Sequence, residues 1–340
     1  MGDGGKLPTE RLGTDGPLVG VQGLGCMGMS EFYGETDEAA ARETLEAAFD
    51  LGVTLYDTSN AYGNGANEEF LAPFVAAHRD GITLATKFGI VRKVEDPAFR
   101  GVDNSPEYIR RSAEESLKRL GTDVIDLYYM HRRDPRVPLA ESVGAMAELV
   151  QAGKVRHLGL SEVTGAELRE AHAVHPIAAV QSEWSLFSRD VEVSLVGAAA
   201  ELGVAVVPYS PLGRGFLTGS FQDAGTDLPA TDFRRRQPRF SGDNARHNAG
   251  LLAPVREVAA AHGATLGQIA LAWVHQRADV HRLPVVPIPG TRKAARVREN
   301  AAAAAIVLTA EELAALEPIG AQVAGDRYPD MSSTANAREQ

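Results

Sequence analysis

The stretch SLKRLGTDVIDLYYMHR, residues 116–132, contains in order the end of a helical pattern, a glycine and an apolar run that leads to a histidine. Gly121 is the residue type that accepts the left-handed conformation in which many helices end. Residues 123–130 are rich in β-branched and aromatic side chains, which favours a buried strand. The stretch therefore predicts a helix, a tight stop and a strand in direct succession.

The same alternation continues along the chain, and it is typical of βαβ units on a parallel sheet. We expect eight strands, near residues 20–25, 53–57, 82–87, 123–130, 154–160, 177–182, 204–208 and 284–288. Helical patterns lie between them, at residues 37–51, 67–78, 106–120, 138–152, 164–174, 190–202 and 250–262. Eight such units that close on themselves form an α/β fold of the (β/α)8 or TIM-barrel type, and an open, doubly wound sheet is the alternative.

Several segments lie outside this eightfold repeat. Asp15 and Gly16 stand between two short apolar runs, which predicts an N-terminal β-hairpin that plugs the bottom of the barrel. Extra helices are expected at residues 265–277 and from Thr309, where Glu312 completes a capping-box pattern.

The remaining segments bear on domain organisation. Residues 209–249 are rich in Gly, Pro and Arg, which indicates a functional loop rather than a linker. A chain of 340 residues could hold two domains, but α/β barrels often exceed ~250 residues as one domain. We therefore predict a single domain over residues 1–320 and a poorly ordered C-terminal tail at residues 321–340.

Charge and composition exclude some classes of partner. The formal net charge of −11 argues against nucleic acid or an anionic membrane. The N-terminus lacks the apolar stretch of a secretory signal. The alanine-rich apolar run at residues 301–310 is shorter than the ~20 apolar residues that are needed to span a bilayer. Cys26 is the only cysteine, so an intrachain disulfide is excluded and a cytoplasmic location is expected.

Residues 23–28, GLGCMG, match the G-x-G-x-x-G fingerprint of dinucleotide-binding folds. The fingerprint requires a helix that opens at the glycines, so that its amides meet the pyrophosphate. Here the stretch MSEFYGETD intervenes before the next helical pattern begins near Asp37. We therefore interpret the glycines as a tight strand exit, whose backbone at Cys26 and Met27 can lie close to a ligand.

Chemically active side chains follow three consecutive predicted strands. Asp57 ends the second strand and Tyr62 follows it. Lys87 ends the third strand, and His131 follows the fourth. In a barrel, the carboxyl ends of the strands meet at one rim, where the active sites of this fold lie. Each residue alone could be a turn former, a surface residue or a packing residue, but their convergence at one rim favours a site.

Such a set of side chains suits proton donation to a carbonyl oxygen. An ordinary phenol has a pKa of about 10, which is high for an acid at neutral pH. We expect Lys87 to lower the pKa of Tyr62, while Asp57 keeps the lysine charged and in place. His131 can orient the substrate oxygen. The sequence contains no metal-ligand cluster, serine triad or cysteine nucleophile, so we expect an organic hydride donor to supply the electrons.

Motifs along nearly the whole chain resemble those of the aldo-keto reductases, in particular the branch with plant auxin-induced-type and perakine-reductase-like enzymes and bacterial homologues. They include GLGCMGMSEFYG (23–34), DTSNAYG (57–63), ATKFG (85–89), SLKRLGTDVIDLYYMHR (116–132), PYSPLGRGFLTG (208–219) and PIPGTRK (287–293). The resemblance implies a TIM barrel that reduces small-molecule aldehydes and ketones with NADPH and without a metal. It implies catalytic roles for Asp57, Tyr62, Lys87 and His131, with Tyr62 as the general acid.

The resemblance also implies a binding site for NADPH or NADP+. Ser161 and Gln181 would hold the nicotinamide carboxamide, and Tyr209 would stack on the nicotinamide ring. The residues implied around the pyrophosphate are Ser210, Leu212, Gly213 and Arg214. Those implied at the adenosine 2′-phosphate and the adenine are Thr291, Arg292, Arg296, Glu299 and Asn300. The basic residues of this last segment supply a local positive patch on an acidic chain, or form a solvated helix face as the alternative.

Residues 59–61 depart from the DTADMYG motif of this branch, because Ser59, Asn60 and Ala61 precede Tyr62 here. Two other functions are open besides carbonyl reduction. One is a nicotinamide-binding regulatory or sensor subunit with little turnover, and the other is a Schiff-base lyase with Lys87 as the nucleophile. The presence of the whole set of four residues favours a reductase.

Overall fold

The computed structural model describes residues 6–34, 36–93, 95–96 and 99–339, and a barrel of parallel strands lies at its centre. The strands in these ranges are β1 (Thr9–Arg11), β2 (Leu18–Gly20), β3 (Leu24–Gly25), β4 (Leu55–Asp57), β5 (Thr83–Phe88), β6 (Ile90–Val91), β7 (Gly101–Val102), β8 (Ile125–Met130), β9 (Val155–Ser161), β10 (Ile177–Glu183) and β11 (Ala205–Tyr209). Seven of them form one parallel sheet in the order β3-β4-β5-β8-β9-β10-β11. Because this order never reverses, the doubly wound alternative is excluded.

The barrel closes through residues 284–288, which lie between the first and the last strand of the sheet. The amide of Val286 donates to Val206 on β11 over 3.0 Å, and the amide of Gly23, next to β3, donates to Pro287 over 2.9 Å. The segment forms one isolated bridge rather than a regular strand, because its prolines have no N–H group for the ladder. The eighth predicted strand is thus an irregular segment that completes the predicted TIM barrel.

The predicted N-terminal hairpin lies under the barrel. β1 and β2 pair antiparallel, and the amide of Thr14 donates to Gly203 O, just before β11, over 3.0 Å. Leu12 and Val19 are fully buried and pack with inward-facing barrel side chains such as Leu127. The hairpin therefore fills the bottom of the barrel with apolar side chains, as the sequence predicts.

Helices surround the sheet and occupy the predicted positions with small differences at their ends. Those in the described residues are α1 (Glu38–Asp50), α2 (Ala66–His78), α3 (Pro106–Leu120), α4 (Leu139–Gln151), α5 (Gly165–Val174), α6 (Leu195–Leu202), α7 (Ala224–Asp227), α8 (Gly242–Gly250), α9 (Ala253–His262), α10 (Leu266–His281), α11 (Ala294–Ala302), α12 (Ala310–Leu316) and α13 (Ile319–Gln322). The predicted helix 190–202 begins only at Leu195, after a separate turn. The capping box is confirmed, since Thr309 Oγ1 accepts from Glu312 N and Glu312 Oε2 accepts from Thr309 N.

Two segments predicted as irregular carry structure of their own. Residues 209–249 contain α7 and α8 as well as short 3-10 turns, and Phe216 stacks on Phe240 with ring centroids 5.4 Å apart. The tail that begins at residue 321 contacts the barrel at Arg327, whose side chain is almost fully buried. Its predicted poor order in solution stays a prediction. Residues 27–29 form a single turn and α1 begins at Glu38, so the glycines of 23–28 open no helix.

Candidate active site

The four predicted catalytic residues lie together at the carboxyl rim of the barrel. Asp57 is the last residue of β4, Lys87 lies near the end of β5, and His131 follows β8. These three strands are neighbours in the sheet, so their ends converge. Tyr62 follows β4 in a turn in which Gly63 and the next residue adopt left-handed conformations. A glycine accepts this conformation without strain, and the turn directs the phenol back over the rim.

The ammonium of Lys87 links the set. Its Nζ forms an ion pair with Asp57 Oδ1 and donates to Thr58 O over 2.8 Å. The same nitrogen lies 3.4 Å from the hydroxyl of Tyr62. The ring of Tyr62 meets the ring of His131 edge to face, with centroids 5.7 Å apart. The sequence prediction that these side chains form one cluster agrees with this geometry.

The pair of Asp57 and Lys87 is fully buried, and burial opposes the charge on both groups. Burial raises the pKa of Asp57 and lowers the pKa of Lys87, while the attraction between the two charges acts in the opposite direction on each. Gln181 Nε2 donates to the second carboxylate oxygen over 2.8 Å. The hydrogen bonds to both oxygens therefore compensate part of the desolvation of the acid.

The phenol of Tyr62 is held in its neutral form. Burial raises its pKa well above the ordinary value, and the nearby charge of Asp57 adds to this effect, whereas Arg132 opposes it. The sequence predicts a lowered pKa through Lys87, but burial of the phenol and the charge of Asp57 shift the pKa in the opposite direction. A neutral phenol is nevertheless the form that a proton donor needs.

His131 is also neutral, because burial, Lys87 and Arg132 hold its pKa well below the ordinary value. Its Nδ1 lies 3.1 Å from Ser59 Oγ. The Ser59 oxygen accepts the amide proton of Ala61 over 3.2 Å, and its own proton can go to Nδ1 or to Asn60 Oδ1, which is farther away at 3.5 Å. When the hydroxyl donates to Nδ1, the ring carries its proton on Nε2, the nitrogen that remains for a substrate oxygen.

A second pair of charges holds the turn that carries Tyr62. Glu31 Oε2 accepts the amide proton of Gly63 over 2.8 Å, and its other oxygen pairs with Arg92 over 2.8 Å. Arg92 also donates to Ala61 O over 3.2 Å. The turn is therefore held on both sides of the phenol. Neither Glu31 nor Arg92 is predicted from the sequence to act on Tyr62, because both lie far from the DTSNAYG motif along the chain.

The residues predicted at the nicotinamide lie next to this cluster. Ser161 ends β9, with Oγ 3.4 Å from Arg132 Nη1. Gln181 lies on β10 and bonds Asp57, as described above. Tyr209 ends β11 and donates its hydroxyl proton to Glu162 over 2.8 Å. The three predicted residues thus line one continuous part of the rim beside the phenol.

The residues predicted at the pyrophosphate follow directly, on residues 210–214. Ser210 and Arg214 have left-handed backbones, and Gly213 donates to Ser210 O over 2.9 Å, so the chain turns tightly here together with Leu212. Arg214 is buried and donates through one nitrogen to Glu183 over 3.2 Å. Its Nη1 has no hydrogen-bond partner. A buried guanidinium nitrogen without a partner fits a phosphate oxygen, so this segment suits an anionic cofactor.

The predicted 2′-phosphate and adenine residues lie at the start of α11 and on it. Arg292 donates to the carbonyl oxygens of Tyr33 and Gly34, over 2.8 and 3.1 Å. The side chain of Arg296 is exposed. Thr291 accepts the amide proton of Lys293, Glu299 accepts the hydroxyl proton of Thr265, and Asn300 is buried. The segment is therefore a basic surface next to the loop after β3.

Cys26 and Met27 lie on that loop. The Cys26 thiol is buried and points to Leu24 O over 3.6 Å, while its carbonyl accepts from Asn67 over 2.9 Å. Burial raises the pKa of the thiol strongly. Cys26 is therefore a packing residue, whereas Met27 is only half-buried.

The described ranges contain no group of three or more His, Cys, Asp or Glu side chains arranged to hold a metal ion. Among the helices of the same residues, none has the length and apolar character required to cross a membrane.

Comparison with known proteins identifies the family. The chain belongs to the aldo/keto reductase family, whose model matches residues 23–321. It is similar to the glycerol dehydrogenase AKR11B4 from Gluconobacter oxydans (28% identity over 95% of this chain and 98% of that chain, TM-score 0.80). It is also similar to the holo form of the aldo-keto reductase AKR11C1 from Bacillus halodurans (26% identity over 95% of this chain and 99% of that chain, TM-score 0.76). A third similar structure is the thermostable aldo-keto reductase Tm1743 in complex with the inhibitor epalrestat (29% identity over 92% of this chain and 100% of that chain, TM-score 0.71).

The family membership predicted from the motifs is thus confirmed. It implies an oxidoreductase that uses a nicotinamide cofactor, NADH or NADPH, on small-molecule carbonyl compounds. The fold and the position of the candidate site at the carboxyl rim agree with this class.

Proposed function

We propose that the protein reduces aldehydes and ketones to alcohols with NADPH, and that Tyr62 is the general acid. The observation that carries this proposal is the position of the Tyr62 hydroxyl, 3.4 Å from Lys87 Nζ and beside the neutral ring of His131. A neutral phenol next to an ammonium group can release its proton to an oxygen that His131 holds in place.

Each residue has one role in this reaction. The Nε2–H group of His131 binds the carbonyl oxygen and orients it toward the Tyr62 hydroxyl. The phenol gives its proton to that oxygen, and Lys87, paired with Asp57, stabilises the negative charge that then remains on Tyr62. When bound, the reduced nicotinamide would supply the hydride to the carbonyl carbon, so that one hydride and one proton convert the carbonyl to an alcohol.

The cofactor residues named from the sequence are part of the proposal. Ser161 and Gln181 would hold the carboxamide, Tyr209 would stack on the nicotinamide, and the Arg214 segment would hold the pyrophosphate. The remaining assignments are Cys26, Met27, Ser210, Leu212, Gly213, Thr291, Arg292, Arg296, Glu299 and Asn300. We propose NADPH rather than NADH because the basic start of α11 offers guanidinium groups that suit a phosphate. The single buried thiol suits a cytoplasmic enzyme.

The test is a panel of aldehydes and ketones, scored by the loss of NADPH absorbance. Aromatic aldehydes and glyceraldehyde belong in the panel, the latter because a glycerol dehydrogenase is among the similar structures. Tyr62→Phe should lose about 10²- to 10⁴-fold in turnover and keep its affinity for NADPH. Tyr128→Phe is the matched control, since this buried phenol bonds Ile109 O outside the site.

Two outcomes would contradict the proposal. Tight NADPH binding without oxidation by any carbonyl compound would instead support a sensor subunit. Full turnover by Tyr62→Phe would remove the phenol from the chemistry and leave the proton donor unassigned.

A further inference from the structure

The C-terminal tail lies across the carboxyl ends of β9 to β11. The guanidinium of Arg327 donates to both oxygens of Glu162, over 2.9 and 3.0 Å. Both side chains are almost fully buried, with exposures of 3% and 1%. The amide of Ala335 donates to the same carboxylate over 3.2 Å. The carboxylate of one residue at the barrel rim therefore anchors the tail at two points, and the carbonyl oxygen of the same residue accepts from Arg338 as a third.

This carboxylate also holds Tyr209. Glu162 Oε1 accepts the Tyr209 hydroxyl proton over 2.8 Å. The hydroxyl of Tyr328, on the tail, lies 3.2 Å from the Tyr209 hydroxyl, and the guanidinium of Arg214 lies over the Tyr328 ring, 4.4 Å from its centroid. The outer end of the Tyr209 ring is thus fixed between the rim and the tail, and both contacts are made by its hydroxyl.

The side chain of Glu162 is suited to stay ionised and to accept hydrogen bonds. Burial raises the pKa of its carboxyl, but Arg327, the charge of Arg132 and the hydrogen bond from Tyr209 together lower the pKa to about 2. Its backbone has φ of 51°, a left-handed conformation that is costly for a residue with a side chain and is kept only where the surroundings determine it. The side chain is therefore ionised and held toward the tail.

We propose that Glu162, Arg327 and Tyr328 are positioning residues that fix the position of the Tyr209 ring, against which the nicotinamide stacks. This inference rests on the cofactor site proposed above. A tyrosine ring that is hydrogen-bonded at its hydroxyl has fewer positions open to it. Binding of the nicotinamide therefore costs less conformational entropy. The hydroxyl of Tyr328 acts on the nicotinamide half of the cofactor, because it contacts Tyr209, whereas the Tyr328 ring packs on Arg214 and is kept in a change to phenylalanine.

The test separates the two halves of the cofactor by calorimetric titration of the ligand-free protein. The ligands are NADP+ and 2′-phospho-ADP-ribose, which lacks the nicotinamide. Tyr328→Phe removes one hydrogen bond and should raise the dissociation constant of NADP+ about three- to ten-fold, while that of 2′-phospho-ADP-ribose stays within about two-fold.

A second variant tests the anchor. Arg327→Met alone would leave a buried, unpaired carboxylate, so it is combined with Glu162→Gln, whose amide oxygen can still accept from Tyr209. This double variant should weaken NADP+ selectively, as Tyr328→Phe does. Asp330→Asn, on an exposed residue of the same tail, is the control and should change neither ligand.

An equal loss of affinity for both ligands, or no loss for either, would overturn the inference, because the tail would then have a general structural role or none at the site. If the unchanged protein binds NAD+ instead of NADP+, the same comparison applies with NAD+ and ADP-ribose. If it binds neither cofactor, the proposed function fails, and the inference fails with it. That result is distinguishable, since it is seen before any substitution.

Discussion

Ser59 Oγ lies 3.1 Å from Nδ1 of His131, and both side chains are buried. The contact joins the turn after β4 to the residue after β8. Because the Ser59 oxygen also accepts the amide proton of Ala61, one hydroxyl fixes both the turn and the imidazole. Ser59 is one of the three positions at which the sequence departs from the DTADMYG motif, so this arrangement is a local feature of the chain.

Ser59→Ala should lower turnover about three- to ten-fold, the range expected for one lost hydrogen bond. The hydroxyl proton bonds Nδ1 only while this nitrogen is unprotonated, so the contact favours the neutral ring. Its loss should therefore raise the pKa of His131 toward the ordinary value of about 6.5. Nuclear magnetic resonance titration of the imidazole measures this shift. Ser59→Thr, which keeps the hydroxyl, should leave the pKa unchanged, and an unchanged pKa in Ser59→Ala would refute the assignment.

Lys87→Met should have two separable effects. The unpaired, buried Asp57 should destabilise the fold by about 3–5 kcal/mol, and turnover should fall about 10²-fold or more, because no cation then stabilises the charge on Tyr62. Adding Asp57→Asn removes the unpaired charge and should restore most of the stability, measured by urea denaturation. Turnover should stay low in the double variant. Recovery of both quantities together would mean that the lysine has only a structural role.

The preference for NADPH should depend on Arg296 and Arg292 in different ways. Arg296 is exposed, so Arg296→Gln should raise the KM for NADPH and leave that for NADH unchanged. Arg292 also donates to the carbonyls of Tyr33 and Gly34, so Arg292→Gln should affect both cofactors and NADPH more. Arg298→Gln, on an exposed residue of the same helix, is the control. An unchanged ratio of kcat/KM for the two cofactors in both variants would place the 2′-phosphate elsewhere.

Glu31 and Arg92 should act on Tyr62 as one unit. Glu31→Gln and Arg92→Met should each lower kcat without changing the affinity for NADPH, because they loosen the turn and not the cofactor site. In a double-mutant cycle the two effects should be non-additive by about 0.5–3 kcal/mol. Glu38→Gln, on an exposed residue at the start of α1, should be neutral. Additive effects on kcat would show that the two charges do not share the turn.

The barrel was predictable because the pattern of strands, helices and glycine stops repeats along the chain, and the rim residues follow from strand ends alone. Residues that act through contacts between distant parts of the sequence could not be predicted in this way. From the sequence, Ser59 is only a variation of a motif, because its contact with His131 is visible only in the structure. Tyr328 lies in a tail whose composition does not indicate structure. The pKa of Tyr62 was predicted in the wrong direction for this arrangement, because burial is not visible in a motif.

Gly13 gives a test of the hairpin under the barrel. Its φ is 75°, and an added Cβ would lie 2.5 Å from Ala178 O, at the start of β10. Gly13→Ala should therefore combine backbone strain with a clash against main chain that cannot move aside. Gly121 has a similar φ of 64° with no atom within 4 Å of the added Cβ, so Gly121→Ala measures the strain alone, about 1–2 kcal/mol. We expect Gly13→Ala to lose at least about 1 kcal/mol more in the free energy of unfolding. Equal losses in the two variants would mean that the hairpin is not seated against β10.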